Sequence, residues 1–598
     1  MKDLKKRNEI DAIYKWRLED IFETVEEWQK AADEADAQIV KMAKHRTKFT
    51  KTGTALYSCM KDMYELSGKI MKVYVYAYMK RDEDNTNAKS QELAGKADYL
   101  ITKFSEATSF FEPMLLQLDR VRVEAMIKKT TKLREYSFVI DEIMRKKAHV
   151  LSPGEEKILA MSGEATSAGQ DVFMMFNNAD IKFEPFANEQ GEKTELTIGR
   201  YVKFLESRDR NVRRRAFRSM YEAYGMHKNT LAAAYAGNIK SDVFYSRVRK
   251  YKSSFLAALH QDNIPSKVYN GLITSVHRHI HLLTHYLQIR QRVLSIQKVH
   301  MYDLYVPLVK MPEKTYTFEE ARQIVTEALK PLGEDYCKAL EHAFTDGWID
   351  VCENKGKRVG AYSWGCYDSH PYVLLNWQGT INDVFTLAHE LGHAMHSYYS
   401  NLSQPIQYAN YKIFVAEVAS TVNENLLMEY MLKNSKDDIE KAFLLNHYLE
   451  EFRATVYRQA MFAEFEKKAH KLYEKGGVLT CESLSAIYMK LQHQFFKKVV
   501  KIDDEIALEW ARIPHFYTSY YVYKYATGFS AATHLASGIL SGDENKRAAY
   551  LNFLKSGGSD YPIELLKKAG VDLSTTEPID AAFNVFRRKL NQFELLML

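Results

Sequence analysis

Proline is nearly absent from this chain, and where it is absent limits the fold more than any other feature. Residues 1–112 and 406–513 contain none, and the full 598 residues hold 12 prolines and 26 glycines. Ordinary shares would be roughly 5% and 7%. Sandwiches and barrels of β-strands need frequent Gly/Pro turns, so that class is excluded, as are collagen-like and low-complexity chains. What remains is a mostly α protein. Its length exceeds what one core supports, so more than one lobe is expected.

Local signals agree with that class. Thr24-x-x-Glu27 has the form of a capping box, and Ser152-Pro153-Gly154-Glu155-Glu156 reads as a helix start with a serine cap and proline at the first turn. Residues 181–198 are alternating and turn-rich, which predicts a short hairpin or a boundary. The most strand-like stretch is 348–377. There, β-formers flank Asn354-Lys355-Gly356-Lys357, a hairpin signal, and Pro371–Trp377 forms a short β-rich run. A small sheet is therefore expected just before residue 380.

Charge and cysteine content bound the partners. Lys+Arg 83 against Asp+Glu 77 gives only +6. The densest basic run, Arg208–Arg218, reads as a solvated helix face with Glu206, Asp209 and Glu222 nearby rather than as a phosphate patch, so no nucleic-acid partner is expected. Five scattered cysteines without a CxxC suggest neither disulfides nor a thiolate metal site. The start, MKDLKKRNEIDAIYKW, lacks an apolar signal region, and no stretch approaches the ~18 apolar residues of a membrane span. A cytoplasmic protein without a membrane partner is the expectation. Nothing in the sequence signals an oligomeric state.

Residues 388–396 read Ala-His-Glu-Leu-Gly-His-Ala-Met-His. On a helix, His389 and His393 are four apart and project from one face, within reach of a single zinc ion. Glu390 lies about 100° round the helix, beside the metal, where a carboxylate can take a proton from attacking water. Chance would place fewer than roughly 0.08 such HExxH motifs in this composition. Two histidines leave a catalytic zinc one protein ligand short. His396 sits about 10 Å along the axis from His389 by rise alone, too far to share the ion. The apolar segment 413–428 instead carries Glu417 and Glu424, seven apart and so on one face, with Ser420 and Thr421 between them. One of the two can ligate the ion while the other anchors a ligating histidine.

These residues resemble a family. His389–His396, followed by Phe414-Val415-Ala416-Glu417-Val418-Ala419-Ser420-Thr421, is similar to the zinc oligopeptidases of the thimet oligopeptidase group, and most to their oligoendopeptidase F branch. Gly360-Ala361-Tyr362, Pro371-Tyr372…Asn376, Thr386-Leu387-Ala388, His515-Phe516-Tyr517…Tyr520-Tyr521-Val522-Tyr523, Trp16-x-Leu18-x-Asp20-Ile21 and His149-x-Leu151-Ser152 extend the likeness along essentially the whole chain. The resemblance implies a bilobed helical ellipsoid with a deep central channel that admits oligopeptides and excludes folded proteins. It implies one zinc ion, Glu417 as the third ligand and Glu424 behind it, with an N-terminal helical lobe over 1–200 and the catalytic part over 201–598. It further implies that His515, Tyr520 and Tyr523 donate hydrogen bonds at the scissile bond.

The expected activity is hydrolysis of internal bonds of short peptides, with Glu390 as general base and then acid. A peptide laid against an exposed edge at Gly360, Ala361 and Tyr362, or at Tyr372–Asn376, would gain backbone hydrogen bonds with little side-chain selection. Two other readings compete. An exopeptidase would anchor a chain terminus, and blocked termini would stop it. A non-catalytic peptide-binding scaffold would need four protein ligands to close its metal site, whereas three and an adjacent base are visible here.

Overall fold

The computed structural model describes residues 4–310, 314–496 and 498–598. By its contacts the chain divides into two compact units, each assembled from three stretches. Met1–Val150, Glu313–Met431 and Leu535–Val571 form the first, and Leu151–Pro312, Leu432–His534 and Asp572–Leu598 the second. These units interleave along the sequence, so they do not follow the division of the chain at residue 200.

The first unit opens on α1 (Val25–Lys41), α2 (Gly53–Glu83) and α3 (Ala88–Thr108). Thr24 caps α1 by accepting the Glu27 N–H at 3.2 Å, while the Glu27 carboxylate takes the N–H of Glu23 rather than that of Thr24. The cap is real and its reciprocal half is displaced by one residue. Trp16, Trp28, Ile70 and Val73 are buried in one apolar cluster with Tyr372 and Leu374, which ties these helices to the sheet. Burial of this kind, rather than helix propensity, holds such helices in place.

That sheet has strands β1 (Ile349–Asp350), β2 (Tyr362–Trp364) and β3 (Tyr372–Leu374), in the order β1-β3-β2. The turn chemistry around Asn354–Lys357 is as expected, with Gly356 at φ +80°. The hairpin is not formed. β1 runs parallel to β3 (Ile349↔Val373) and β2 antiparallel to it (Ser363↔Val373). The reason is non-local. Asp350 is held by Arg7 at 2.5 Å and Lys357 at 2.6 Å, and Asn354 and Gly356 bond the end of α2, so the connection is pinned outward instead of folding back. After β3 come α4 (Ile381–Ser403) and α5 (Ile413–Asn434).

In the second unit, Ser152 and Glu155 complete a capping box at the start of the helix Pro153–Met175. Phe186–Ala187 and Lys193–Thr194 form the short antiparallel hairpin expected over 181–198. The basic run lies on the helix Arg210–Met226, and much of its charge is paired: Arg210 and Arg213 both bind the buried Asp303 at 2.8 Å, and Arg218 lies 3.6 Å from Glu505. Among the described residues, no helix is long and apolar enough to cross a membrane.

Candidate metal centre

Helix α4 is capped by Thr380, whose capping box with Asp383 satisfies first-turn donors and fixes the helix phase. Two turns later, His389 and His393 emerge on one face with ring centroids 4.9 Å apart. Their counterpart is α5, and what lets α5 come close is Gly392. A Cβ there would stand 2.5 Å from Ser420 Cα and 2.7 Å from the Ala419 carbonyl oxygen, closer than a side chain tolerates. Asn423 locks the crossing, donating to the Ala388 carbonyl at 3.0 Å while its own oxygen accepts from the Tyr336 hydroxyl at 3.3 Å.

At that crossing, one Glu417 oxygen, Oε2, lies 3.3 Å from His389 Nε2 and 3.3 Å from His393 Nε2. The three donor atoms all fall within 4.8 Å of one another. Ser420 donates to the same Glu417 oxygen at 3.0 Å. Glu424 meets the other ring nitrogen, His389 Nδ1, at 3.0 Å, which leaves Nε2 turned to the cluster. Two imidazoles and a carboxylate are the donor set of a catalytic zinc site, and their convergence on one point fits that ion. The alternatives left by the spacing of Glu417 and Glu424 are thereby separated in space: one faces both Nε2 atoms, and the other stands behind a histidine.

The electrostatics follow from the same contacts. Glu417 is held far below the usual carboxylate range: burial, the largest influence, pushes it up, and hydrogen bonds from both histidines outweigh it. His389 is raised well above the ordinary imidazole value, because Glu417 and Glu424 overcome its burial. Glu390 differs from both. It is buried, and burial raises its pKa, with the neighbouring histidines pulling the other way. His396, set aside on distance, stacks on Tyr411 at 3.7 Å and is pushed down to about 3 by burial, so it is a neutral packing residue.

The remaining expected residues distribute unevenly. Tyr372 is fully buried in the central strand, paired on both sides, and its hydroxyl bonds the Arg17 carbonyl at 3.1 Å. A peptide cannot add to that strand, which corrects the Tyr372–Asn376 edge. Asn376 bonds the Arg358 and Gly360 carbonyls at 2.9 and 2.8 Å, so it shapes the loop before β2. Ala361 and Tyr362 lead into β2, the edge strand, and the Tyr362 hydroxyl is engaged by Asp82 at 2.9 Å. His515, Tyr520 and Tyr523 belong to the second unit. His515 is exposed, 3.4 Å from the Tyr525 hydroxyl. Tyr520 and Tyr523 are buried, Tyr520 at φ +59° with its N–H bonded to Glu466 at 2.6 Å. Gly392, Asn423 and Tyr336 went unpredicted; the two amides of the apolar 413–428 segment, Asn423 and Asn425, were the available signal for Asn423.

The sequence and the fold are similar to those of known proteins. Residues 203–585 match Peptidase family M3, and residues 115–183 match the Oligopeptidase F description. The chain belongs to peptidase family M3. It lies in the oligoendopeptidase F branch and is a metalloendopeptidase of that family. Over 592 residues it is 44% identical to Oligopeptidase PepF of Bacillus subtilis, covering 99% of this chain and 88% of the relative. It is 42% identical to Group B oligopeptidase PepB of Streptococcus agalactiae, covering 99% and 98%. A crystal structure from Chlamydophila abortus, 38% identical, superposes with a TM-score of 0.94 over 99% of this M3 chain and 100% of that one. Oligoendopeptidase-F from Enterococcus faecium, also 38% identical, gives 0.74 over 96% and 99%.

Proposed function

We propose that this family M3 chain is a zinc-dependent endopeptidase of the cytoplasm that cuts internal bonds of short oligopeptides. The observation that carries the reading is the single Glu417 oxygen equidistant from two histidine Nε2 atoms, beside a buried Glu390. Zinc held by His389, His393 and Glu417 would supply Lewis-acid polarisation and a more acidic water. The chain's own residues do the rest. Glu424 keeps His389 in the tautomer that presents Nε2. Glu390, its carboxylate made more basic by burial, takes a proton from the attacking water and returns it to the leaving amine. His515, Tyr520 and Tyr523 are proposed as neutral donors to the developing oxyanion, as the resemblance implies. Gly360, Ala361 and Tyr362 offer backbone groups for an extended peptide. Restriction to short peptides rests on the resemblance to the oligoendopeptidase F branch.

The test is hydrolysis of an internally quenched peptide with blocked termini, together with zinc content. Glu390→Gln should keep its zinc and lose on the order of 10²–10⁴ in kcat, the share of general acid–base catalysis. Full activity in that variant, or no cleavage of the blocked peptide by wild type, overturns the reading. In the same assay Tyr523→Phe should lower kcat with KM unchanged; a change in KM alone removes its donor role.

A further inference from the structure

The second unit contains a cavity that the peptidase chemistry does not use. Arg453, Arg458 and Arg512 line it, with Glu509, Gln492 and Tyr305. Arg458 and Arg512 share Glu509, at 2.6 and 2.7 Å. Behind the cavity wall, Arg453 shares Glu450 at 2.7 Å with the fully buried Arg290. Four guanidiniums therefore stand against two carboxylates in a largely buried cluster. Each arginine stays protonated, and uncompensated charge of one sign is costly to bury.

One further observation points to an occupant. Among the described residues, Arg453, Arg458 and Arg512 use Nη2 and, in two of them, Nε for protein partners, while their Nη1 groups have none. We propose that the cavity is a site for a small monovalent inorganic anion, a halide such as chloride, to which these guanidiniums donate.

The full-length protein tests this in two ways. Crystals grown with bromide in place of chloride should show an anomalous peak among Arg453, Arg458 and Arg512; water alone at that position overturns the proposal. In solution, chloride should raise Tm saturably by about 2–4 °C relative to gluconate at equal ionic strength. Arg458→Met should abolish that response. An equal chloride response in wild type and that variant overturns the proposal. Arg458→Lys, which keeps the charge, should retain part of the response, so a folding failure of the methionine variant leaves both readouts decisive.

Discussion

At the scale of single residues, the two glutamates of α5 divide the work of one site by a difference in which imidazole nitrogen they meet. Glu417 touches Nε2 of both histidines, whereas Glu424 touches only Nδ1 of His389. Carboxylates behind a ligating histidine orient it and raise its basicity, and their loss typically costs 10–100-fold in metal affinity. Glu424→Ala should accordingly bind zinc about 10–100-fold more weakly, with kcat restored by excess metal. Competition with a chelator measures the affinity. Unchanged affinity would make Glu424 a packing residue.

At the scale of elements, the relation of α4 to α5 decides the site. The histidine pair was legible because a helical spacing of four is a local property of the sequence. Glu417 and Glu424 were both visible as costly acids in an apolar helix, but the choice between them depends on the rotation of α5 against α4. That rotation is set by the Gly392–Ser420 approach and the Asn423 bond, neither of which has a spacing signature. Gly392→Ala should destabilise the protein by about 1–3 kcal/mol, as overpacking does, and weaken metal binding as the helices part. Denaturant unfolding checks the first part, and a neutral effect would refute the steric argument. The same contrast explains the sheet. Residues 371–377 declared themselves a strand, and Asn354–Lys357 a turn, yet β1 and β2 both pair with β3, and Asp350 of β1 is held by Arg7, hundreds of residues away in sequence. Short strands in a helical protein carry too little pattern to specify their neighbours.

For the whole molecule, helical class was legible from proline and glycine alone, while the interleaving of two units was not, because contact between distant stretches leaves no periodicity. The buried charges of the second unit also bear on its stability. Burial, the largest influence, pushes Glu450 and Glu509 up, but Arg290 and Arg453, and Arg458 and Arg512, hold them down to about 2. A carboxylate depressed in the folded state stabilises it above the unfolded value near ~4.3 and loses that contribution as pH falls towards the folded value. Tm should therefore decline between about pH 5 and pH 2, and Glu509→Gln should flatten part of that slope. An unchanged slope would mean that other carboxylates govern acid unfolding.

The close crossing at Gly392 has a consequence for how the protein comes to be folded. The two metal-facing helices are joined through residues 404–412, which hold only the short helix Ile406–Ala409, and all three metal-facing donors fall within 389–417 of the first unit. Closing so short a loop costs little chain entropy compared with bringing together the far-separated stretches of either unit. The donors can thus meet before the rest of the topology is complete. Metal present during refolding would then act as an early clasp on one helical pair, rather than as a final insertion into a finished scaffold.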